Sequence, residues 1–450
     1  MNFLYNFLNG QVIMKNKKEL RNCVIYEIYV RNHSPRGNFQ AVIDDLPRIQ
    51  ALGVDYIWLM PIHPIGKVNR KGALGSSYAI ADYLAINPEY GTEEDFRQLI
   101  KAAHVLGMGV MIDVVYNHTS PDSVLAQEHK DWFHLDGQGN PTTSVPDWMD
   151  IVELDYSHPE LQGYLVKAIQ KWASFGLDGF RCDVASLVPV EFWQKAAAAA
   201  KTINPNIIWL AESVHTGWVA ERRMKGLYAQ SDSELYRVFD ITYDYDIFRP
   251  WERAVKGTLD TGYYLDLLVW QDAIYPKDYV KLRYVENHDT DRIMALAPSR
   301  DQALAWTALQ AFNKGAWLIY AGEESAAKRR PDQFEKDVIP WGTYELSDFI
   351  RRLAALKKDP ARKKGELVWL TSEPAVQAVW FTDQECLAAI FNTAGKKGEI
   401  LTAFPDGTYE DLLGGEDFTI VDHKVQIPTV ACLFHCKLKE LPPQREMLLI

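Results

Sequence analysis

The sequence predicts an α/β protein: a (β/α)8 barrel with a short lobe inserted after its third strand, followed by a C-terminal antiparallel β-sandwich domain. Three observations predict it. Between residues 24 and 358, short apolar runs alternate with amphipathic helical stretches eight times. Such alternation argues for parallel strands covered on both faces, and eight pairs argue for a closed barrel rather than an open sheet. Four of the runs end in an acid or its partner: MIDVVYNH (Met111 to His118), GFRCDV (Gly179 to Val184), IIWLAES (Ile207 to Ser213) and RYVENHD (Arg283 to Asp289). In a parallel barrel the functional groups sit at the C-terminal ends of strands, so chemistry and architecture agree. After about Gly365 the texture changes to short, alternating, turn-separated stretches.

The elements follow in order. VIYEIYV (Val24–Val30) is the first strand. Residues 38–53 then carry Phe39, Val42, Leu46, Ile49 and Leu52 at helical spacing, with Gly53 as the C-terminal cap. YIWLMP (Tyr56–Pro61) is the second strand. A helix over 92–107 opens on Thr92, with Asp95 three residues on to complete a capping box. The third strand is 109–115. Residues 119–157 then break the alternation with Pro121, Gly137, Gly139, Pro141 and Pro146, which reads as the inserted lobe. The pattern resumes with helix 159–176, strand 179–184, helix 189–203 and strand 207–213. A weaker helix near 218–227, strand 239–245, helix 263–275, strand 281–287, helix 300–313, strand 316–322 and helix 345–358 complete the eight pairs. Five further strands, near 376–381, 386–392, 398–403, 418–421 and 430–435, predict the sandwich. The expected domains are an N-terminal arm over 1–23, a barrel over 24–118 and 158–364, the lobe over 119–157, and the sandwich domain over 365–450.

Bulk properties narrow the function classes. A net charge of -12 argues against a nucleic-acid partner, which calls for a basic footprint. Five scattered cysteines without a CxxC pair fit a reducing compartment better than a disulfide framework. The N-terminus lacks a leading basic cluster and an unbroken apolar stretch, so it does not read as a signal peptide. No run approaches the roughly 18 apolar residues of a membrane span. A cytoplasmic protein with no membrane association is the expectation. The 14 Trp and 22 Tyr are mostly expected in the core, with some rings available to stack on flat apolar faces such as those of sugars.

The acids specify a chemistry. Arg181 and Asp183 are two apart on a strand and share a face, so the guanidinium would hold the carboxylate ionised, as a nucleophile requires. Glu212, one strand over and among other carboxylates, would hold a proton more firmly, as a general acid requires. Asp289, from the seventh strand, would stabilise a cationic transition state or hold substrate hydroxyls. Two carboxylates with divided roles are the equipment of glycosidic bond cleavage. His118 and His288 would donate hydrogen bonds to sugar hydroxyls. Asp113 reads as a structural partner within the strand, and Cys182 as a core cysteine facing the helices.

These blocks resemble the α-amylase family (glycoside hydrolase family 13). DVVYNH, GFRCDV, the Glu of WLAES and VENHD occur in the family's order and on its strands. GSSYAIADYLAINPEYGT (Gly75–Thr92) resembles its strand-two loop and YAGEE (Tyr320–Glu324) its eighth strand. The resemblance covers about residues 24 to 435. It implies a retaining mechanism on α-glucosidic bonds of maltodextrins or starch-derived oligosaccharides, with Asp183 as nucleophile, Glu212 as acid/base and Asp289 as transition-state stabiliser. It also implies that Arg181, His118 and His288 hold the sugar and that Tyr78 stacks beneath it. It calls for no cofactor in the chemistry. Asn117 matches a position where many members bind calcium, although the lobe is short and the spacing of Asp147, Asp150, Glu153 and Asp155 fixes no further ligand. Leu187 departs from the His that several α-amylases carry there. MDIVELD (Met149–Asp155) matches neither the neopullulanase nor the oligo-1,6-glucosidase signature. A first strand near residue 24 leaves no room in this sequence for the extra N-terminal domain of cyclomaltodextrinases. An α-glucosidase or a transglycosylase of the same family would share all these residues. A non-enzymatic transporter-associated relative would lack the acids.

Overall fold

In the computed structural model, residues 17–447 are described. The N-terminal arm expected over 1–23 lies outside the described residues as far as residue 16; a short helix, Lys17–Leu20, follows. Eight strands form a closed barrel: β1 (Val24–Ile28), β2 (Tyr56–Leu59), β3 (Gly109–Val114), β4 (Gly179–Cys182), β5 (Ile208–Ala211), β6 (Ile241–Tyr243), β7 (Lys281–Arg283) and β8 (Ala316–Tyr320). Around the barrel they run β1-β8-β7-β6-β5-β4-β3-β2. Every residue of all eight strands is buried. That burial on both faces explains why they read as continuous apolar runs rather than as alternating ones. Several strands are shorter than the runs that predicted them, β6 and β7 most of all. The apolar run reports burial, and burial continues past the last ladder hydrogen bond into the loop.

The helices begin and end where local chemistry dictates. In helix Phe39–Ala51 the Asn38 side chain accepts from Ala41 N at 3.0 Å, and Gly53 follows the last turn at φ 88°, which a side chain would resist. In helix Glu93–Val105 the predicted capping box is complete: Asp95 N donates to Thr92 Oγ1 at 3.2 Å and Thr92 N to Asp95 Oδ2 at 2.8 Å. Helix Phe248–Val255, which was not expected, contains Pro250. It falls in the first turn, where the missing N–H has no intrahelical partner to lose.

The described chain forms two compact units. One comprises Ile25–Tyr243 with Pro331–Pro340, and so includes β2 to β6. Its lobe between β3 and β4 is held by a short antiparallel pairing of His118–Thr119 with Val152–Glu153. The second comprises residues up to Val24, Asp244–Arg330, and everything from Trp341 onward. It includes β7, β8 and the C-terminal module. That module has a four-stranded antiparallel sheet (Glu366–Thr371, Val376–Phe381, Cys386–Phe391, Ala431–Cys436) and two two-stranded ribbons, Glu399–Leu401 with Lys424–Gln426 and Gly407–Tyr409 with Phe418–Ile420. The sheets share one core of Val379, Ala388, Ile390, Ile400, Phe404, Ile420, Val425 and Phe434. Strands 366–371, 407–409 and 424–426 were not read from sequence; none of 407–409 is buried and two of the three residues of 424–426 are exposed.

Ten of the 14 Trp are buried, and only Trp148, Trp218, Trp270 and Trp341 are not. Most of the aromatic content is therefore core, as expected. All five cysteines are buried and none is in a disulfide. Among the described residues no helix is long and apolar enough to cross a membrane. Removing the Thr92 cap should cost about 1 kcal/mol. Urea unfolding of Thr92→Ala is expected to show an unfolding free energy lower by that amount, through a lower midpoint at unchanged slope, and an unchanged midpoint would mean the box contributes nothing.

Candidate active site

The site begins with strand register. β3 and β4 pair so that Asp113 lies opposite Arg181, and β4 and β5 pair so that Cys182 lies opposite Ala211. The ladder then runs one step past the strands: Asp183 N donates to Val114 O at 3.0 Å and Glu212 N to Cys182 O at 2.9 Å. Asp183 and Glu212 therefore leave adjacent strand ends at the same level, each with its backbone held.

Arg181 is the hub. Its side chain is fully buried. Nη1 donates to both Asp113 oxygens at 3.0 Å and to Asp183 Oδ1 at 2.9 Å. Nη2 stands 3.0 Å from Glu212 Oε2, and Nε donates to the Tyr243 hydroxyl at 3.3 Å. The guanidinium carbon lies 5.1 Å from the Trp58 ring centre, 5.3 Å from Tyr243 and 5.8 Å from Tyr78. Burial works against the charge, but Asp113 and Glu212 outweigh it and hold the Arg181 pKa well above its ordinary value. Asp113, the expected scaffold residue, is thus the inner anchor of the cluster.

Glu212 has a second tether: Val184 N donates to its Oε2 at 2.7 Å. Val184 reaches that position at φ 35°, ψ 45°, a left-handed conformation that a β-branched residue adopts only under strain of about 1–3 kcal/mol. The backbone strain sits directly beside Asp183 and aims an N–H at the neighbouring acid. Cys182 is buried, and burial pushes its thiol pKa up.

Tyr78 is half-buried and donates through its hydroxyl to Asp113 Oδ2 at 3.0 Å. His118 Nε2 lies 3.9 Å from Asp183 Oδ2, and Tyr83 donates to the His118 carbonyl at 2.7 Å. Burial lowers the His118 pKa to about 3, with the Tyr78 backbone working the other way. The ring is therefore neutral, and its approach to Asp183 is not an ion pair. Asn117 Nδ2 is 3.2 Å from His118 Nδ1. Acceptance there leaves the ring proton on Nε2, the nitrogen nearer Asp183.

In the second unit, His288 Nε2 is 3.0 Å from Asp289 Oδ2, with His288 buried and the Asp289 side chain 44% exposed. Asn287 Oδ1 accepts from Asp289 N at 2.9 Å and Thr290 N at 3.1 Å, and Arg330 donates to the Asp289 carbonyl. Two residues missed by sequence reasoning pin this loop. Glu286 takes Arg292 Nη1 at 2.5 Å and Ile293 N at 2.7 Å, while Arg292 Nη2 donates to Ala321 O at 2.8 Å. Their signal was present: Glu286 and Arg292 flank Asp289 symmetrically, three residues on either side.

The lobe's acids do not converge. Asp147 is exposed, Asp150 pairs with Lys71 at 3.2 Å, Glu153 accepts from Ser144 at 2.8 Å, and Asp155 accepts from Ser157 N at 2.9 Å. Among the described residues no group of three or more His, Cys, Asp or Glu side chains is placed to hold a metal ion.

A closed parallel barrel whose strand ends carry carboxylates on one buried guanidinium defines a barrel glycoside hydrolase. The family model described as "Alpha amylase, catalytic domain" matches residues 15–394, and that described as "Bacterial Alpha amylase C-terminal domain" matches residues 370–434. The chain belongs to the alpha-amylase family, glycoside hydrolase family 13. It is similar to a crystal structure of an alpha-amylase from Lactobacillus plantarum: TM-score 0.89, 42% identity, 93% of this chain and 99% of that one. It is also similar to a noncanonic maltogenic alpha-amylase AmyB from Thermotoga neapolitana, with TM-score 0.82, 30% identity, 93% of this chain and 100% of that one. Alpha-amylase MalA of Haloarcula japonica is 28% identical over 421 residues; the match takes in 87% of this chain but spans only 58% of that protein's length.

The neutral His118 has a pH consequence. Its native pKa, about 3, is below the ordinary 6.5, so the unfolded chain binds a proton that the native state refuses. Stability therefore falls as pH drops from 6.5 toward 3. In His118→Asn, the fall in Tm between pH 7 and pH 4.5 is expected to be smaller than in the parent, and an equal fall would argue against a neutral buried ring.

Proposed function

We propose that this chain cleaves α-1,4 bonds of maltodextrins with retention of anomeric configuration. The observation that carries the reading is the sharing of Arg181 by Asp183 and Glu212 at 2.9 and 3.0 Å. Two carboxylates on the terminal nitrogens of one guanidinium fit the short separation of retaining enzymes, about 5–5.5 Å, better than the about 6.5–9.5 Å of inverting ones. Asp183 attacks the anomeric carbon while Glu212 protonates the departing glycosidic oxygen. Glu212 then takes a proton from water, whose oxygen displaces Asp183 from the anomeric carbon. Three carboxylates against one positive charge leave surplus negative charge, and a proton held on Glu212 relieves it. Asp289, on its pinned loop, stabilises the cationic transition state. Tyr78 stacks under the ring, and His118, His288 and Arg181 hold its hydroxyls and the nucleophile.

The same reading assigns the chemistry to the barrel, 24–118 and 158–364, with the lobe 119–157 and the module 365–450 around it. Five cysteines without a disulfide are consistent with a cytoplasmic location. No step calls for a cofactor. Calcium takes six to eight oxygen ligands, carboxylates among them. Asn117 turns its amide to His118 and the lobe's acids are dispersed, so we take Asn117 as scaffold and not as a calcium ligand. Dialysis against EDTA is then expected to leave Tm unchanged, and a fall restored by added calcium would reverse the assignment.

Asp183→Asn should lower kcat on maltotetraose by about 10⁴-fold, and Glu212→Gln by about 10²–10⁴-fold. The Glu212 loss should be far smaller on α-maltosyl fluoride, whose leaving group needs no proton. Product NMR should show the α-anomer first. A β-anomer, or no cleavage of any α-glucoside by the parent, would sink the reading.

A further inference from the structure

Directly beyond β1, the four residues of helix Val30–His33 are all buried, and three of them are polar. Arg31 is 2% exposed and Asn32 0%. Burying such groups is costly unless their hydrogen bonds are made, so their partners show what the burial secures. Arg31 Nη1 donates to Gly75 O at 3.0 Å and Nη2 to Leu74 O at 3.4 Å, while Glu89, with its side chain 46% exposed, stands 3.4 Å from Nη2. Two of the three partners are consecutive backbone carbonyls. The guanidinium therefore fixes the course of a loop rather than the position of another side chain. The chain turns at that point: Gly75 has φ 77°, and a Cβ in its place would meet Ile65 Cγ2 at 2.9 Å.

Asn32 holds a second segment. Its Nδ2 donates to Asp332 O at 2.7 Å, its Oδ1 accepts from Asp337 N at 2.9 Å, and its carbonyl accepts from Ile339 N at 3.0 Å. Those partners lie in Pro331–Pro340, the stretch after β8 that belongs to the first unit. Within it, Asp332 Oδ1 accepts from Phe334 N at 2.6 Å and from Glu335 N at 3.1 Å. The segment in turn grips the loop that Arg31 holds: Leu74 N donates to Phe334 O at 3.0 Å, and Ala73 N to Glu335 Oε1 at 2.6 Å. Leu74 is thus held at both of its backbone groups, the N–H by Phe334 and the carbonyl by Arg31. The contacts close a circuit. It runs from Arg31 to Leu74, to Phe334, to Asp332, and back to Asn32, the neighbour of Arg31.

Tyr78 lies three residues beyond Gly75. Its N–H donates to Ser76 Oγ at 3.1 Å and its hydroxyl to Asp113 Oδ2 at 3.0 Å. The ring is therefore placed from two ends, by its hydroxyl within the Arg181 cluster and by its backbone through the circuit. We propose that Arg31 is a positioning residue for the reaction. Through Leu74 and Gly75, with Asn32 and Pro331–Pro340 closing the circuit, it sets Tyr78 beneath the sugar. The proposal rests on the reading of Tyr78 as the ring that stacks there. A stacked pyranose has to present its anomeric carbon to Asp183. A platform displaced by about 1 Å carries that carbon out of line, and a shift of that size can cost about 100-fold in rate. Arginine suits the task because its planar fork reaches two carbonyls at once, where an ammonium is a point charge.

Arg31→Met keeps apolar length and removes the donors. In this variant kcat/KM on maltotetraose is expected to fall about 10–100-fold. In a Tyr78→Ala background the same change should cost less than about twofold, because a ring that is absent cannot be misplaced. Amide hydrogen exchange at Ala73 and Leu74 should quicken in Arg31→Met and also in Asn32→Ala, which opens the circuit at its other end. Asn32→Ala goes through the same kinetic cycle should Arg31→Met fail to fold. An unchanged kcat/KM, or an equal fold-loss with and without Tyr78, would leave Arg31 a packing element and overturn the proposal. Parental exchange rates at Leu74 in both variants would overturn it too. Tyr78→Ala at parental kcat/KM would instead overturn the reading of Tyr78, and the role of the circuit with it.

Discussion

The buried charge of Arg181 is the constraint on which the rest of the first unit's chemistry depends. An isolated guanidinium taken out of water costs several kcal/mol, and here it has no exposure at all. Asp113 supplies two contacts and Asp183 and Glu212 one each, so the end of β4 and its two neighbours are drawn to a single point. The rings of Trp58, Tyr78 and Tyr243 close the space around it. Loss of Arg181 would leave three carboxylates facing one another in a medium that screens them poorly. Structural stability and the spacing of the acids therefore rest on the same contacts.

Around that hub, backbone geometry does the fine positioning. Asp183 and Glu212 each keep one ladder hydrogen bond beyond their strands. Val184 accepts a strained conformation to bring its N–H to Glu212. The neutral His118, with Asn117 on one ring nitrogen and Asp183 beyond the other, adds a directed N–H without adding a charge. On the loop of the second unit the same principle recurs. Glu286 and Arg292 are buried and pair with each other, so Asp289 can be exposed yet anchored at both ends of its turn. In both places a buried ion pair holds the chain beside a carboxylate at a strand end or in the loop beyond it.

Beside Glu212, Trp148 and Trp218 meet with ring centres 5.8 Å apart and pack on Val184, Leu187, Val214, Val219 and Ala229. The acids come from strand ends, where barrel register sets them. The Trp pair comes from the lobe and from a helix that begins four residues after Glu212, joined through Arg222 and Ser144. Segments of that kind change without disturbing β3, β4 and β5.

The eight-fold alternation, the order of the acid-tipped runs and the capping signals at Asn38 and Thr92 were legible in the sequence, because period, burial and caps are local properties of the chain. So was the pairing of Arg181 with Asp183, which needs only the two-residue repeat of a strand. What sequence could not determine was anything that depends on which strand lies beside which residue. Asp113 opposite Arg181, Glu212 on the far nitrogen of the same guanidinium, the Glu286–Arg292 clamp and the meeting of Trp148 with Trp218 all join positions through register or through loops. Helix Phe248–Val255 and the short ribbons 407–409 and 424–426 were missed for a related reason: a first-turn proline and exposed three-residue strands carry almost no periodic signal. Strand ends were overestimated because an apolar run continues as long as burial does, whereas a strand ends where its backbone partner turns away. The sequence by itself determined which groups reach the barrel's rim. Only tertiary structure decided how they share one positive charge, because that sharing requires side chains from separate strands to meet at a single buried guanidinium.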